Sequence, residues 1–178
     1  MSWKVESKFK HNGLTCVVIM TEMGHRCGYV GVPNTHKLHG VDYTDKMDFL
    51  KTVEADDITT DNAGLGQFLG AMCGEYKNES LSPVLYFNVH GGITFSGVGK
   101  EYPIKSDLWW FGFDCAHYND ASDPHKALEY GLITKETCEG LTSYACLSGV
   151  VRSLEYCKTE CRGLADQLGK SVFWEGQE

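Results

Sequence analysis

The sequence predicts an α+β fold, with a mainly antiparallel sheet and a long C-terminal helix packed on one face of it. Two β-prone stretches flank a turn at residues 11–13, and an almost continuous aromatic run spans residues 108–113. Between positions 151 and 168 the apolar residues recur every three or four positions, which is the period of a half-buried helix. The 178 residues, 42% hydrophobic and 22% charged, are typical of one globular domain.

The first strands are predicted on both sides of His11-Asn12-Gly13. Residues 3–9 alternate between apolar and polar side chains, and residues 14–20 are strongly β-prone. Asn-Gly between such stretches predicts a hairpin, because the favoured two-residue turn needs positive φ at both central positions. Residues 28–32 predict a third strand, which Pro33 ends.

The next segment has weaker patterns. Residues 34–44 predict a polar loop, in which His36 and His39 are either metal ligands or ordinary hydrogen-bonded histidines. Residues 45–53 predict a short helix, followed by an acidic loop over 54–62. Four apolar residues at helical spacing predict a further helix: Leu65, Phe68, Leu69 and Met72.

The stretch 85–120 is predicted to form the centre of the sheet. Residues 85–89 alternate apolar with polar, Gly91-Gly92 suits a hairpin turn, and residues 93–96 return as the partner strand. The aromatic run 108–113 predicts another strand. Its glycine, Gly112, indicates a bulge or a close approach by another group.

Two helices are predicted after the sheet. Asp123-Pro124 suits a helix start, and a short helix is predicted over 124–130. The apolar stripe predicts a helix over 150–168, with Gly169 as its stop. Cys157 and Cys161 are four residues apart on this helix, where they are either a metal-binding pair or part of the buried stripe.

Composition limits the partners and the compartment. The eight cysteines are irregularly spaced without a C-x-x-C pair, and the start lacks the apolar region of a signal peptide, so we expect mostly reduced thiols in the cytoplasm. No window is apolar enough to span a bilayer. A net charge of −8 with only three arginines disfavours nucleic acid as a partner. No cofactor is predicted, and a homo-oligomer is compatible with the sequence.

Polar residues at the ends of the two central runs predict a site for a small polar ligand, of which a nucleotide is the best match. Imidazole and carboxylate groups would hydrogen-bond the ligand, aromatic rings including Trp109 would stack a base, and backbone N–H groups of the glycine turn would approach a phosphate. The predicted ligand-binding residues are Tyr29, His90, Gly91, Gly92, Trp110, Asp114 and His117.

Two alternatives use the same residues. In an enzyme, four side chains would hold a metal ion that activates water: His90, Asp114, His117 and Asp120. Cys115 would instead be a nucleophile with His90 or His117 as its base; strand alternation separates Cys115 from His117 by about 6.5–7 Å and favours His90. In a structural or protein-binding domain, the Asp-Cys-Ala-His segment only satisfies hydrogen bonds inside a polar core.

Several segments together resemble a widespread group of uncharacterised proteins from tailed phages and prophages. They are GYVGVP at 28–33 with His36 and His39, VHGGITFSG at 89–97, WWFGFDCAH at 109–117 with Asp120, and the closing YCKTECRGLADQL at 156–168. Residues 45–80 do not match and are interpreted as an insertion. The resemblance implies a phage accessory protein in the host cytoplasm, a setting in which small proteins counter host defence by sequestering or cleaving nucleotide signals.

Overall fold

The structure of the protein, a computed structural model, describes residues 2–51, 80–142 and 149–174. Its strands are β1 (Trp3–His11), β2 (Leu14–Thr21), β3 (Arg26–Val32), β4 (Met47–Lys51), β5 (Ser80–Leu81), β6 (Phe95–Val98) and β7 (Trp109–Asp114). Its helices are α1 (Pro83–Tyr86), α2 (Pro124–Glu129), α3 (Lys135–Thr142) and α4 (Leu154–Leu168), followed by a 3-10 turn at Ser171–Phe173. The described residues contain no helix long and apolar enough to cross a membrane.

The predicted α+β fold is confirmed. An antiparallel five-stranded sheet has the strand order β1-β2-β3-β7-β6, and α4 packs across β1, β2 and β3. The predicted N-terminal hairpin is present, with positive φ at both Asn12 and Gly13. The middle strand of the sheet is β3, whose seven residues are all buried between β2 and β7.

Strand β7 is buried on both of its faces. Phe111, Phe113 and Cys115 belong to the core that α4 covers. Trp110 belongs to a second apolar cluster, which it shares with Tyr29 and with residues of β2. A strand covered on both sides does not need polar residues at alternate positions, and this explains the continuous aromatic run in the sequence.

The strand predicted over residues 85–89 is wrong. Pro83 begins the short helix α1, and the chain then continues extended without a strand partner. The burial of the side chains nevertheless alternates as predicted, since Phe87 and Val89 are buried and Asn88 is exposed. Side chains of α4 take the place of a partner strand, because the Gln167 amide accepts from the Asn88 N–H (2.8 Å) and donates to the Asn88 carbonyl (2.7 Å).

Two other predictions need correction. The glycine turn forms, with φ of 66° at Gly91 and 85° at Gly92, but it does not close a hairpin, since β6 pairs with β7 instead. The helix predicted over 45–53 is wrong, because β4 pairs with β5 in a separate two-stranded sheet. The acidic loop at 54–62 and the helix predicted from Leu65 to Met72 lie outside the described residues.

Helix α4 confirms the helix predicted from the C-terminal apolar stripe, but it begins at Leu154 and not at residue 150. It begins after Ser153, whose side chain accepts a hydrogen bond from the Tyr156 N–H (3.1 Å), and it ends at Gly169 as expected. Cys157, Cys161 and Leu164 lie fully buried in the core. The six described cysteines are free thiols, as the compartment argument predicts for most of the eight.

Removing the N-cap of α4 should lower stability modestly. We expect Ser153→Ala to reduce the free energy of unfolding by about 1 kcal/mol, since the Tyr156 N–H loses its acceptor at the first turn of the helix. Urea denaturation followed by circular dichroism measures the change, and Ser153→Asp, which restores an acceptor, serves as the control. Equal stability of all three proteins would contradict the capping role.

Candidate functional site

Three separate segments of the chain bring titratable side chains together at one end of α4. His90 comes from the extended segment before the glycine turn, and His117 and Asp120 come from the turn after β7. Arg152 lies just before α4, and Tyr156 lies in the first turn of that helix. The turn after β7 is closed by the Asp120 N–H, which donates to the His117 carbonyl (3.0 Å).

His90 is held on both sides of its ring. Its Nδ1 lies 2.9 Å from the Tyr156 hydroxyl, and its Nε2 lies 2.7 Å from Oδ2 of Asp120. The His90 N–H donates to the Glu160 carboxylate (2.8 Å), so α4 also fixes the backbone at this point. With an 11% exposed side chain, His90 has a defined position and limited contact with solvent.

Asp120 is the centre of the cluster, and its side chain is only 1% exposed. Its Oδ1 accepts from Nε of Arg152 (2.7 Å), and its Oδ2 accepts from the His117 N–H (3.1 Å) and faces His90. Burial by itself raises the pKa of Asp120, but the hydrogen bonds from Arg152 and His90 outweigh it and lower the pKa. Asp120 is therefore a carboxylate at neutral pH.

His117 is the least constrained member of the cluster. The buried Nδ1 of its ring has no hydrogen-bond partner and lies 3.5 Å from Oδ1 of Asp114. Its ring also lies against the backbone of Gly91, where a Cβ atom would come within 2.2 Å of the imidazole. Gly91 is thus needed for its positive φ and for the close approach of His117, a reason that sequence reasoning did not supply.

The arrangement fits a metal ion. Among the described residues, the one group of three or more His, Cys, Asp or Glu side chains with metal-ligand geometry is His90, His117 and Asp120, whose ligand atoms lie within 4.8 Å of one another. Metal-binding histidines and carboxylates usually have a second hydrogen-bond partner that fixes their orientation. Tyr156 supplies one for His90, and Arg152 supplies one for Asp120.

The other predicted site residues lie elsewhere. Tyr29 and Trp110 are buried on the face of the sheet away from α4, so the structure does not bring their rings to His90. Trp109 donates its indole N–H to the Val41 carbonyl (2.9 Å). Asp114 lies at the edge of the cluster, where its Oδ1 is 3.5 Å from Nδ1 of His117.

The cysteine alternative finds little support in the geometry. Cys115 is buried, and its Sγ lies 3.6 Å from that of Cys157. The hydrogen bond with Cys157 and burial both raise the pKa of the Cys115 thiol, which disfavours the thiolate that a nucleophile needs.

The histidine pair of the polar loop has other contacts. Nε2 of His36 lies 2.9 Å from the Leu168 carbonyl, and Nδ1 accepts from the Leu38 N–H (3.2 Å). His39 contacts the Asp107 carbonyl at 3.5 Å. These histidines therefore connect loops in the structure and do not converge on each other.

Sequence reasoning missed four residues near the cluster. Tyr156 and Glu160 are four residues apart, which places them on one face of α4, and Arg152 lies just before that helix. The spacing does not say which part of the fold that face contacts. Tyr118 follows His117 and is fully exposed beside Asn119, whose φ is 68°.

The chain was compared with protein family models, with curated proteins and with solved structures, and none of them matches.

Proposed function

We propose that the protein binds a divalent transition-metal ion between His90, His117 and Asp120, and that this ion in turn holds a small polar ligand. The observation that carries the proposal is the convergence of two imidazoles and a carboxylate within 4.8 Å. Zn²⁺ is the best match, since it accepts nitrogen and carboxylate ligands and takes three protein ligands where a fourth position stays open. The open position is where the ligand would bind.

The charge of the cluster favours a cation. Asp114, Asp120 and Glu160 contribute three carboxylates, and the guanidinium of Arg152 pairs with Asp120. An anionic ligand placed directly among these carboxylates would be repelled. A metal ion reverses the local charge, so it allows the same position to hold a phosphate or a carboxylate.

The hydrogen bonds of His90 are compatible with exchange of a proton for a metal. Without metal, Nε2 must carry the proton that faces Asp120, and Nδ1 then accepts from the Tyr156 hydroxyl. With metal, Nε2 would be a ligand and Nδ1–H would donate to Tyr156. Both states keep both ring nitrogens bonded, provided that Nε2 loses its proton to solvent, Nδ1 takes one up, and the Tyr156 hydroxyl rotates to accept it.

The class of ligand is proposed from the resemblance of four segments to tailed-phage proteins and from the exposed Tyr118 ring. In a phage accessory protein, a nucleotide-derived host signal is the ligand class we propose, with its phosphate on the metal and its base on Tyr118. Stacking of a base on an aromatic side chain contributes about 1–3 kcal/mol. We propose sequestration of the ligand, with hydrolysis by a metal-bound water as the alternative.

Loss of His117 should abolish metal binding while leaving the fold intact. We expect His117→Ala to weaken zinc binding by more than about 100-fold. Removing a residue that only hydrogen-bonds a metal ligand typically lowers metal affinity by about 10–100-fold, and removing the ligand itself should have a larger effect. Tyr156→Phe, which removes the hydroxyl that holds His90, should weaken zinc binding by about 10–100-fold. Isothermal titration calorimetry with Zn²⁺, after dialysis against a chelator, measures both.

His39→Ala is the matched control, because this histidine lies outside the cluster, where its Nε2 is 3.5 Å from the Asp107 carbonyl and its ring centroid is 6.2 Å from that of Trp109. It should bind zinc like the unmodified protein. Equal affinity of all the variants, or no zinc binding by the unmodified protein, would contradict the proposal.

Sequestration and hydrolysis are separated by the fate of the ligand. The zinc-loaded protein is incubated with a panel of cyclic and ADP-ribose-type nucleotides, and thermal shift identifies those that bind. The complex is then denatured and the compound is analysed by chromatography. Recovery of the intact compound supports sequestration. A ring-opened product larger by one water, or two fragments that together contain the atoms of one added water, supports hydrolysis.

A structural role is the second candidate, and the complete hydrogen bonding of Asp120 favours it. Asp120 joins the glycine turn, the turn after β7 and the start of α4. The connection continues through the Arg152 carbonyl, which accepts from Arg26 (2.8 Å), and Arg26 pairs with the buried Glu6 (2.6 Å). Absence of zinc binding together with a large stability loss on removing Asp120 would favour this role.

A further inference from the structure

A cleft of about 300 Å³ lies on the opposite face of the sheet from α4. Its lining includes the rings of Tyr29, Phe95 and Tyr102 and the carboxylate of Asp114. None of these rings takes part in the histidine cluster. Asp114 alone belongs to both places, since it ends β7 and also lies beside His117.

The three rings meet edge to face. Their centroids are 5.3 Å apart for Tyr29–Tyr102 and 5.5 Å apart for the pairs Tyr29–Phe95 and Phe95–Tyr102, with interplanar angles of 85°, 84° and 70°. Three ring planes inclined to one another by 70–85° form an aromatic corner in the lining of the cleft. Faces of aromatic rings carry negative electrostatic potential and attract cations.

The wall of the cleft is built closely around Tyr29. A Cβ atom at Gly112 would lie 2.4 Å from the Tyr29 ring, so no other residue fits at this position of β7 without moving the ring. This is the close approach that the glycine in the aromatic run predicts. The hydroxyl groups of Tyr29 and Tyr102 hydrogen-bond each other, which satisfies both of them within the wall.

Asp114 provides the charge of the cleft. Its side chain is 30% exposed, and its Oδ2 accepts from the Thr94 hydroxyl (2.8 Å), which orients the carboxylate. Burial lowers the pKa of His25 and raises the pKa of Cys27 to about 12, so both of these lining residues are neutral at pH 7. One negative charge therefore faces aromatic walls.

We propose that this cleft binds the ammonium group of a small organic cation, with the rings of Tyr29, Phe95 and Tyr102 around it and the Asp114 carboxylate as its counter-charge. Aromatic cages that recognise alkylammonium groups use the same chemistry. The net charge of −8 also attracts cations toward the surface of the protein. The site uses none of the residues proposed to hold the metal, His90, His117 and Asp120, although Asp114 lies beside His117.

The experiment compares tetramethylammonium with tert-butanol, which has a similar size and shape but no charge. Protein in chelator is titrated with each compound at constant ionic strength, so that general screening does not change. Binding is followed by ¹H–¹⁵N chemical shifts. We expect tetramethylammonium to bind at least about tenfold more tightly and to shift the signals of Tyr29, Gly112 and Asp114.

Two variants and one control test the assignment. Asp114→Asn keeps the hydrogen bond to Thr94 and should weaken tetramethylammonium binding about tenfold, and Phe95→Leu should weaken it by a similar factor. Asp166→Asn removes a carboxylate from a distant surface position and should have no effect. Equal binding of the two compounds, no binding of tetramethylammonium, or an unchanged affinity in both cleft variants would overturn the proposal.

Discussion

Asp120→Ala should destabilise the protein by about 3–5 kcal/mol, which is the usual cost of removing one partner of a buried ion pair. The carboxylate is 1% exposed and accepts from Arg152 and from the backbone N–H of His117. Its loss leaves these donors and His90 without an acceptor. Because 1 kcal/mol corresponds to about 2–4 °C in a protein of this size, the melting temperature should fall by about 6–20 °C.

The chain offers a matched control for this change. Asp166 also pairs with a histidine, since its Oδ1 lies 2.8 Å from Nε2 of His11, but its side chain is 60% exposed. Asp166→Ala should cost less than about 1 kcal/mol, as exposed pairs do. Differential scanning calorimetry of both variants measures the contrast. A similarly small loss of stability in both variants would mean that Asp120 does not hold together the segments that carry His90, His117 and Arg152.

The central pair of the cluster illustrates what can be predicted from a sequence. His90 and Asp120 both stand next to turns, at positions where strand packing does not require an imidazole or a carboxylate, and this made them candidates. Their contact at 2.7 Å depends on how α4 crosses the sheet. Sequence spacing contains no information on that crossing, and for this reason Arg152 and Tyr156 were missed.

The segment 85–89 shows why a correct burial pattern can give a wrong element. Period-two alternation reports which side chains face the core, and it reports this correctly for Phe87 and Val89. It does not report which groups take up the backbone hydrogen bonds. Here the Gln167 side chain takes them, and the long-range contact that brings Gln167 to Asn88 cannot be read from either local sequence.

The aromatic residues show a related difficulty. The sequence predicts stacking on Tyr29 and Trp110 because the aromatic sheet and its glycine turns are expected to form the pocket. The structure buries both rings on the opposite face from His90, because successive residues of β7 point to opposite faces. The alternation alone could have separated Trp110 from Cys115. The same alternation could not have shown on which side of the sheet His90 lies, because His90 follows a segment that does not pair as a strand.

Gly91→Ala should destabilise the protein more than the same change at the neighbouring glycine. Both residues have positive φ, 66° at Gly91 and 85° at Gly92, so an alanine costs about 1–2 kcal/mol at either position. At Gly91 the added Cβ would also lie 2.2 Å from the His117 ring, whereas at Gly92 the nearest atom, in Val84, is 3.7 Å away. Overpacking of this kind adds about 1–3 kcal/mol.

The comparison of the two alanine variants separates backbone strain from the contact with His117. Urea denaturation should show the larger loss for Gly91→Ala, and the double variant Gly91→Ala with His117→Ala should recover the difference, because the collision is then absent. If the two single variants lose the same stability, the ring moves aside without cost. In that case a shift of His117 should still appear as weaker zinc binding in Gly91→Ala alone, since a ligand displaced from His90 and Asp120 cannot complete their site.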